Sequence, residues 1–145
     1  MNEIKNNVNV YWEVADVYTG QILEKGSVHN TIVDDGLEEL EKLAGKVSVD
    51  GFDDIAIGTD STAVQTSDSA LGAEFDRQEA VNTHTGGKMQ WAYTFTFTSS
   101  VDETIEEIGV FNGASVMMNR ALTGGIAVDA TKTLTVTVTL NGTRA

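Results

Sequence analysis

From Thr133 to Leu140 the chain alternates without a break. Thr133, Thr135, Thr137 and Thr139 stand against Leu134, Val136, Val138 and Leu140. Successive side chains of an extended strand point to opposite faces, so this period of two sorts aliphatic residues to one face and threonines to the other. Thr and Val are β-branched and suit a pleated, half-buried surface. A helix would mix the two classes around its circumference. The segment therefore demands a sheet with one face in a core and one polar face.

The same period recurs twice. Val8, Val10, Trp12 and Val14 share a face, with Asn9, Tyr11, Glu13 and Ala15 opposite. Trp91, Tyr93, Phe95 and Phe97 share another, with Ala92, Thr94, Thr96 and Thr98 opposite. After residues 8–14 a turn at Tyr18-Thr19-Gly20-Gln21 uses Gly20 for a left-handed position. A return strand then starts at Ile22-Leu23, passes Val28 and reaches Ile32-Val33, completing a hairpin. Residues 52–58 read as a short buried strand, and residues 59–69 as a polar surface loop. Leu71 and Phe75 bring the chain back to the core, and residues 74–81 form a strand or an irregular edge. Thr83-His84-Thr85-Gly86-Gly87 reads as a turn. Residues 104–111 read as a strand bulged at Gly109. Asn112-Gly113 signals a tight hairpin turn. In the following strand Val116, Met118, Arg120 and Leu122 alternate with Met117, Asn119 and Ala121, and Thr123-Gly124-Gly125 is a break. Pro is absent, so turns rest on Gly, Asn and Asp.

One segment has helical spacing. Asp35 and Glu38 have the spacing of a capping box. Leu37, Leu40, Leu43 and Ala44 form a stripe, Glu38, Glu39, Glu41 and Lys42 face water, and Gly45 suits the position after the last turn. A helix over about residues 35–45 is too short to stand alone and needs a sheet to lie on. With 145 residues and no composition break, the expectation is one domain over 1–145. Its fold class is mainly β: an antiparallel β-sandwich or small barrel, with the helix covering one end.

The charge balance bears on partners. There are 22 acids and 9 bases, a formal net charge of −13. A field of that sign repels phosphate backbones, which argues against nucleic acid. It serves solubility, and it also suits a cation-binding surface, a salt-adapted source or a basic partner surface. No apolar run approaches the roughly 18 residues of a membrane helix. Residues 1–7 lack a signal-peptide core. Synthesis in the cytoplasm without membrane insertion is expected. Cysteine is absent, which removes thiolate metal sites, disulfides and a cysteine nucleophile.

Residues that carry chemistry are few. His29 and His84 are the only histidines, and a zinc site would need both to converge with a carboxylate. Packing for His29 and solvent exposure for His84 are the plainer expectations. Asp53, Asp54, Asp60 and Asp68 could ligate a structural divalent cation, although no EF-hand spacing is present. Glu103, Glu106 and Glu107 form an acidic knot. Glu106 and Glu107 are adjacent on a strand and point apart, so they cannot make a glycosidase pair with each other. There is no Gly-x-Ser-x-Gly elbow, phosphate loop or dinucleotide fingerprint. Tyr11, Trp12, Trp91 and Tyr93 could line a sugar platform, but both tryptophans lie on core faces. Glu74 and Arg77 could pair with each other or with neighbours, or Arg77 could instead reach a neighbouring subunit. No catalytic, cofactor or metal residue is assigned, and no enzyme activity is expected.

The order of the motifs is similar to that of small structural proteins of tailed phages and related archaeal viruses, including the attachment domain of some tail-collar fibre proteins. The matching residues run from His29-Asn30-Thr31-Ile32-Val33 through Gly36-Leu37 with Leu40 to Ile55-Ala56-Ile57-Gly58-Thr59. They continue with Leu71, Glu74-Phe75, Arg77 and Thr104-Ile105-Glu106-Glu107-Ile108-Gly109-Val110-Phe111. Arg120-Ala121-Leu122 and residues 134–140 complete them. The resemblance spans about residues 28–140. It implies a virion component, either a capsid decoration protein or a small fibre, neck or tail accessory protein. Such a chain would dock on other virion proteins such as the major capsid or tail and neck proteins, as a homo-oligomer. The fibre proteins carry long extensions beyond this unit, so a stand-alone accessory piece is expected here. The alternative is a carbohydrate- or surface-binding β-sandwich module.

Overall fold

The computed structural model describes residues 8–48 and 50–141. The N-terminal residues read above for a signal peptide lie outside them. The elements are β1 (Val8–Asp16), β2 (Ile22–Asn30), α1 (Asp34–Ala44), β3 (Phe52–Gly58), β4 (Glu74–Glu79), β5 (Val81–Thr85), β6 (Lys88–Thr96), β7 (Asp102–Asn112), β8 (Met117–Asp129) and β9 (Lys132–Asn141). They form two antiparallel sheets. One has five strands in the order β2-β1-β9-β6-β5, the other four in the order β4-β3-β7-β8. This is the mainly β, sandwich-like fold that the alternation demands.

The three alternating runs are neighbours in space. β1 and β6 flank β9, so Trp12, Val136 and Tyr93 lie in one row, and Val14, Leu134 and Phe95 in the next. Val8, Val10, Val14, Val136 and Val138 are buried beside Ile55, Ile57, Ile105, Ile108 and Val110 of the second sheet. Both tryptophans join this core, and Trp91 Nε1–H donates to the Phe52 carbonyl at 2.7 Å. Burying its one donor without that partner would be costly.

Several local expectations are corrected. β2 ends at Asn30, and Ile32-Val33 crosses to the other sheet, where Ile32 bridges Asn119 and Val33 N–H donates to the Met118 carbonyl. That pairing holds Val33 extended, so it becomes the residue capping α1. No side chain caps the helix, and the Asp35/Glu38 box does not form. The Asp34 N–H goes instead to the Thr66 carbonyl. At the far end Val47 N–H reaches the Lys42 carbonyl and Lys46 N–H that of Leu43. This Schellman arrangement puts the left-handed residue at Lys46 (φ 57°), not at Gly45. Glu39 is buried rather than in water. Its Oε2 accepts from Ser48 Oγ–H and Asn112 Nδ2–H.

The Gly-rich signals also resolve differently. Residues 83–85 belong to strand β5, and the turn is Gly86-Gly87 alone, both at positive φ. Asn112-Gly113 does not make a two-residue hairpin. The wholly buried Asn112 accepts from the N–H groups of Ala114 and Val116 and shapes a longer loop before Met117. β8 runs on through Gly124 and Gly125, and the irregularities of its pairing with β7 fall between Ile105 and Glu107 and between Val110 and Phe111, not at Gly109. Phe75 is not core. It is 38% exposed, on a strand whose pairing with β3 is irregular beside it.

Candidate functional site

The outer face of the four-stranded sheet carries a small second core of Val33, Ala56, Leu71, Phe111 and Met117. Two glycines let other elements approach it. A Cβ at Gly36 would lie 2.6 Å from the Met118 backbone, and one at Gly109 would lie 2.7 Å from the Asn119 carbonyl oxygen. The 59–73 loop crosses this face and places Leu71 on it.

Beside this apolar patch lies the one buried charge cluster of the described residues. Glu107 has no solvent exposure and Arg120 is 2% exposed. Arg120 Nε–H donates to Glu107 Oε1 at 2.7 Å. Three loop N–H groups also donate to Glu107: Gly72 to Oε1 at 2.8 Å, Ala73 to Oε2 at 2.8 Å and Asp60 to Oε2 at 3.0 Å. The remaining Arg120 donors turn to the same loop. Nη1 meets the Thr62 carbonyl at 2.9 Å and Asp68 Oδ2 at 3.4 Å, and Nη2 meets Asp60 Oδ2 at 3.2 Å and the Asp60 carbonyl at 3.3 Å. Burying an ion pair is costly unless the remaining donors and acceptors are also satisfied, and here they are.

The cluster is a clamp. Its strand residues come from β7 and β8, which set Glu107 and Arg120 on one outer face, and its other members all belong to the loop. Gly58 is required there, because a Cβ would sit 2.5 Å from Glu107 Oε2. Asn30 extends the arrangement: its Nδ2–H donates to the Arg120 carbonyl at 3.0 Å, and its Oδ1 accepts from Asn119 Nδ2–H at 3.1 Å. Chemically the arrangement can hold a loop. A group acting as acid or base must meet a substrate, and Glu107 has none of its surface available.

The other candidate residues separate. Asp60 and Asp68 take the guanidinium of Arg120, a protein cation in the place considered for a metal ion. Among the described residues no group of three His, Asp or Glu side chains is arranged to hold a metal. Asp53 and Asp54 lie at an irregularity of the β3–β7 pairing. Burial, then the neighbouring Asp53 charge, pushes the Asp54 carboxyl above the ordinary carboxylate range, with Arg77 pulling it back. His29 on β2 and His84 on β5 occupy opposite edge strands of one sheet and do not converge. His29 is exposed rather than packed, with Nδ1 2.7 Å from Asn9 Oδ1.

Glu74 and Arg77 do pair, at 2.7 Å, and the guanidinium also stacks over Phe111 at 3.9 Å. Tyr93 packs edge-on to Phe95 against the core, away from any platform. Tyr11 is 46% exposed on the other face, beside a shallow depression of about 300 Å³ lined with Trp12, Glu13, Lys25, Gly26 and Ser27. The buried role of Glu107 with Arg120 was missed in the sequence. Its one signal was an arginine at an alternate position among Val116, Met118 and Leu122.

Comparison with family models, with curated proteins and with solved structures finds no match to this chain.

Proposed function

We propose that the chain is a non-catalytic structural component of a tailed-virus particle, a capsid decoration protein or a small fibre, neck or tail accessory protein, acting by protein–protein docking. One observation carries the reading. The motifs whose order resembles phage attachment domains are scattered over about residues 28–140, and many of them meet on one face. Asn30 holds the Arg120 carbonyl, and Gly36 lies on the Met118 backbone. Leu71 and Phe111 form the small outer core, Arg77 stacks on Phe111, and Glu107 and Arg120 make the clamp. Their order thus corresponds to one structural device in this chain, which supports the reading, and the charged groups within it are spent on holding it together. The test is the protein mass spectrum of purified particles from the source. The chain should be present as a stoichiometric component, and its absence would contradict the reading.

A second reading, a carbohydrate- or surface-binding module, is favoured only by the depression at Tyr11. An exposed ring flanked by Glu13, Lys25 and Ser27 offers a stacking surface with hydrogen-bonding groups at its rim. Glycan binding that disappears in Tyr11→Ala would support it, and an array without binding would remove it.

A further inference from the structure

An edge strand presents unpaired backbone groups to any chain that can pair with it, and proteins blunt such edges with charges, bulges, Pro or a covering segment. Three of the four edges here are blunted. β4 carries Glu74, Asp76, Arg77 and Glu79 and bulges at Phe75. β2 carries Glu24 and Lys25 and bulges at Leu23. The start of β8 is covered by residues 32–33, and its later part is broken by Gly124 and Gly125 at positive φ.

Among the described residues β5 has none of these devices. Val81–Thr85 pairs with β6 through five unbroken register positions, and all five residues are exposed. It carries no acid, no Lys, no Arg and no Pro. Val81, at the start of the strand, is 69% exposed. The surrounding tract is equally unusual. In a chain with 22 acids, residues 80–101 contain none, and neither does β9 in the middle of the same sheet.

We infer that β5 is a self-association edge, at which two copies pair antiparallel about a two-fold axis and join their five-stranded sheets into one. The charge distribution selects the occupant. Two chains of net charge −13 repel each other except where acids are missing, and that place coincides with the one edge left unblunted among the described residues. A basic partner would be drawn to the acid-rich β4 edge instead. An antiparallel strand is self-complementary under a two-fold axis, as an isologous interface requires. The inference deepens the docking reading but is tested separately from it, because it concerns the purified chain alone.

Sedimentation of the full chain over a dilution series should show a reversible dimer. Thr83→Lys with Thr85→Lys puts like charges on the edge and should weaken the dimer about tenfold or more. Ser27→Lys on β2 should leave it unchanged. Amide exchange at residues 81–85 should slow as concentration rises, a readout that needs no variant. A wild-type monomer at every concentration would overturn the inference, as would a dimer insensitive to the lysine pair or one lost in Ser27→Lys. Absence from particles would overturn the virion reading and leave this one standing.

Discussion

The outer faces of the two sheets begin from the same alternation and end differently. On the five-stranded sheet the face is largely open among the described residues, although Thr139 on it is buried. Ser27, Tyr11, Thr137, Ala92 and Val81 lie side by side across it, and Thr94 and Thr135 bond each other at 2.9 Å. On the four-stranded sheet the 59–73 loop covers part of the face, and the polar positions there hold a buried glutamate and arginine. Threonine can satisfy its hydroxyl with water or a neighbour, so its face needs no cover. Glu107 and Arg120 are buried only because the loop supplies three N–H donors, two carbonyls and two carboxylates. A charged residue at an outward strand position therefore indicates either water or a lid.

The largest test of this contrast removes the guanidinium. Arg120→Leu leaves Glu107 buried without its counter-charge and should cost about 3–5 kcal/mol in urea unfolding. Loss of under about 1 kcal/mol would mean that water reaches the cluster. Next, Gly36→Ala drives a methyl into the Met118 backbone, which cannot yield as a side-chain end can. The expected loss is about 1–3 kcal/mol. On the open face, Thr137→Val should change stability by no more than about 0.5 kcal/mol, and a larger loss would show that this face is not idle in the free chain.

The smallest effect lies at the acidic rim of the covered sheet. The Asp54 carboxyl is raised by burial and by Asp53. The folded chain therefore keeps that proton to higher pH than the unfolded chain does. The associated stability is present below the unfolded pKa and is lost as pH rises through the folded one. Asp54→Asn should raise the melting temperature slightly at neutral pH, and the difference should disappear below the ordinary carboxylate range. A difference that persists in acid would assign the gain to packing.

The alternating strands were legible because one face of each meets the core: residues 8–14, 91–96 and 133–140 all pair as their periods require, and only Phe97 falls beyond its strand. The helix was legible to within a residue at each end, but the contacts that start it were not. They are Val33 pairing with β8 and the Thr66 carbonyl accepting from the Asp34 N–H, and neither contact has a local signature. Residues 83–85 of β5 read as part of a turn because Thr83, His84 and Thr85 are polar on both faces, which is what an uncovered edge strand allows. The clamp was least legible. Asp60, Asp68 and Glu107 looked like loop and surface acids, and only the fold brings Arg120, far along the chain, among them.

The most direct measurement of the central claim is a double-mutant cycle between Glu107 and Arg120, using Glu107→Leu and Arg120→Met, with amide exchange followed at Gly72 and Ala73. If the pair clamps the loop, each single variant is strongly destabilised and the double is more stable than the sum of the losses implies, by about 1.5–3 kcal/mol. The two loop amides should lose protection as soon as Glu107 is replaced. Losses that add to within about 0.5 kcal/mol, with Gly72 and Ala73 still protected, would contradict the clamp.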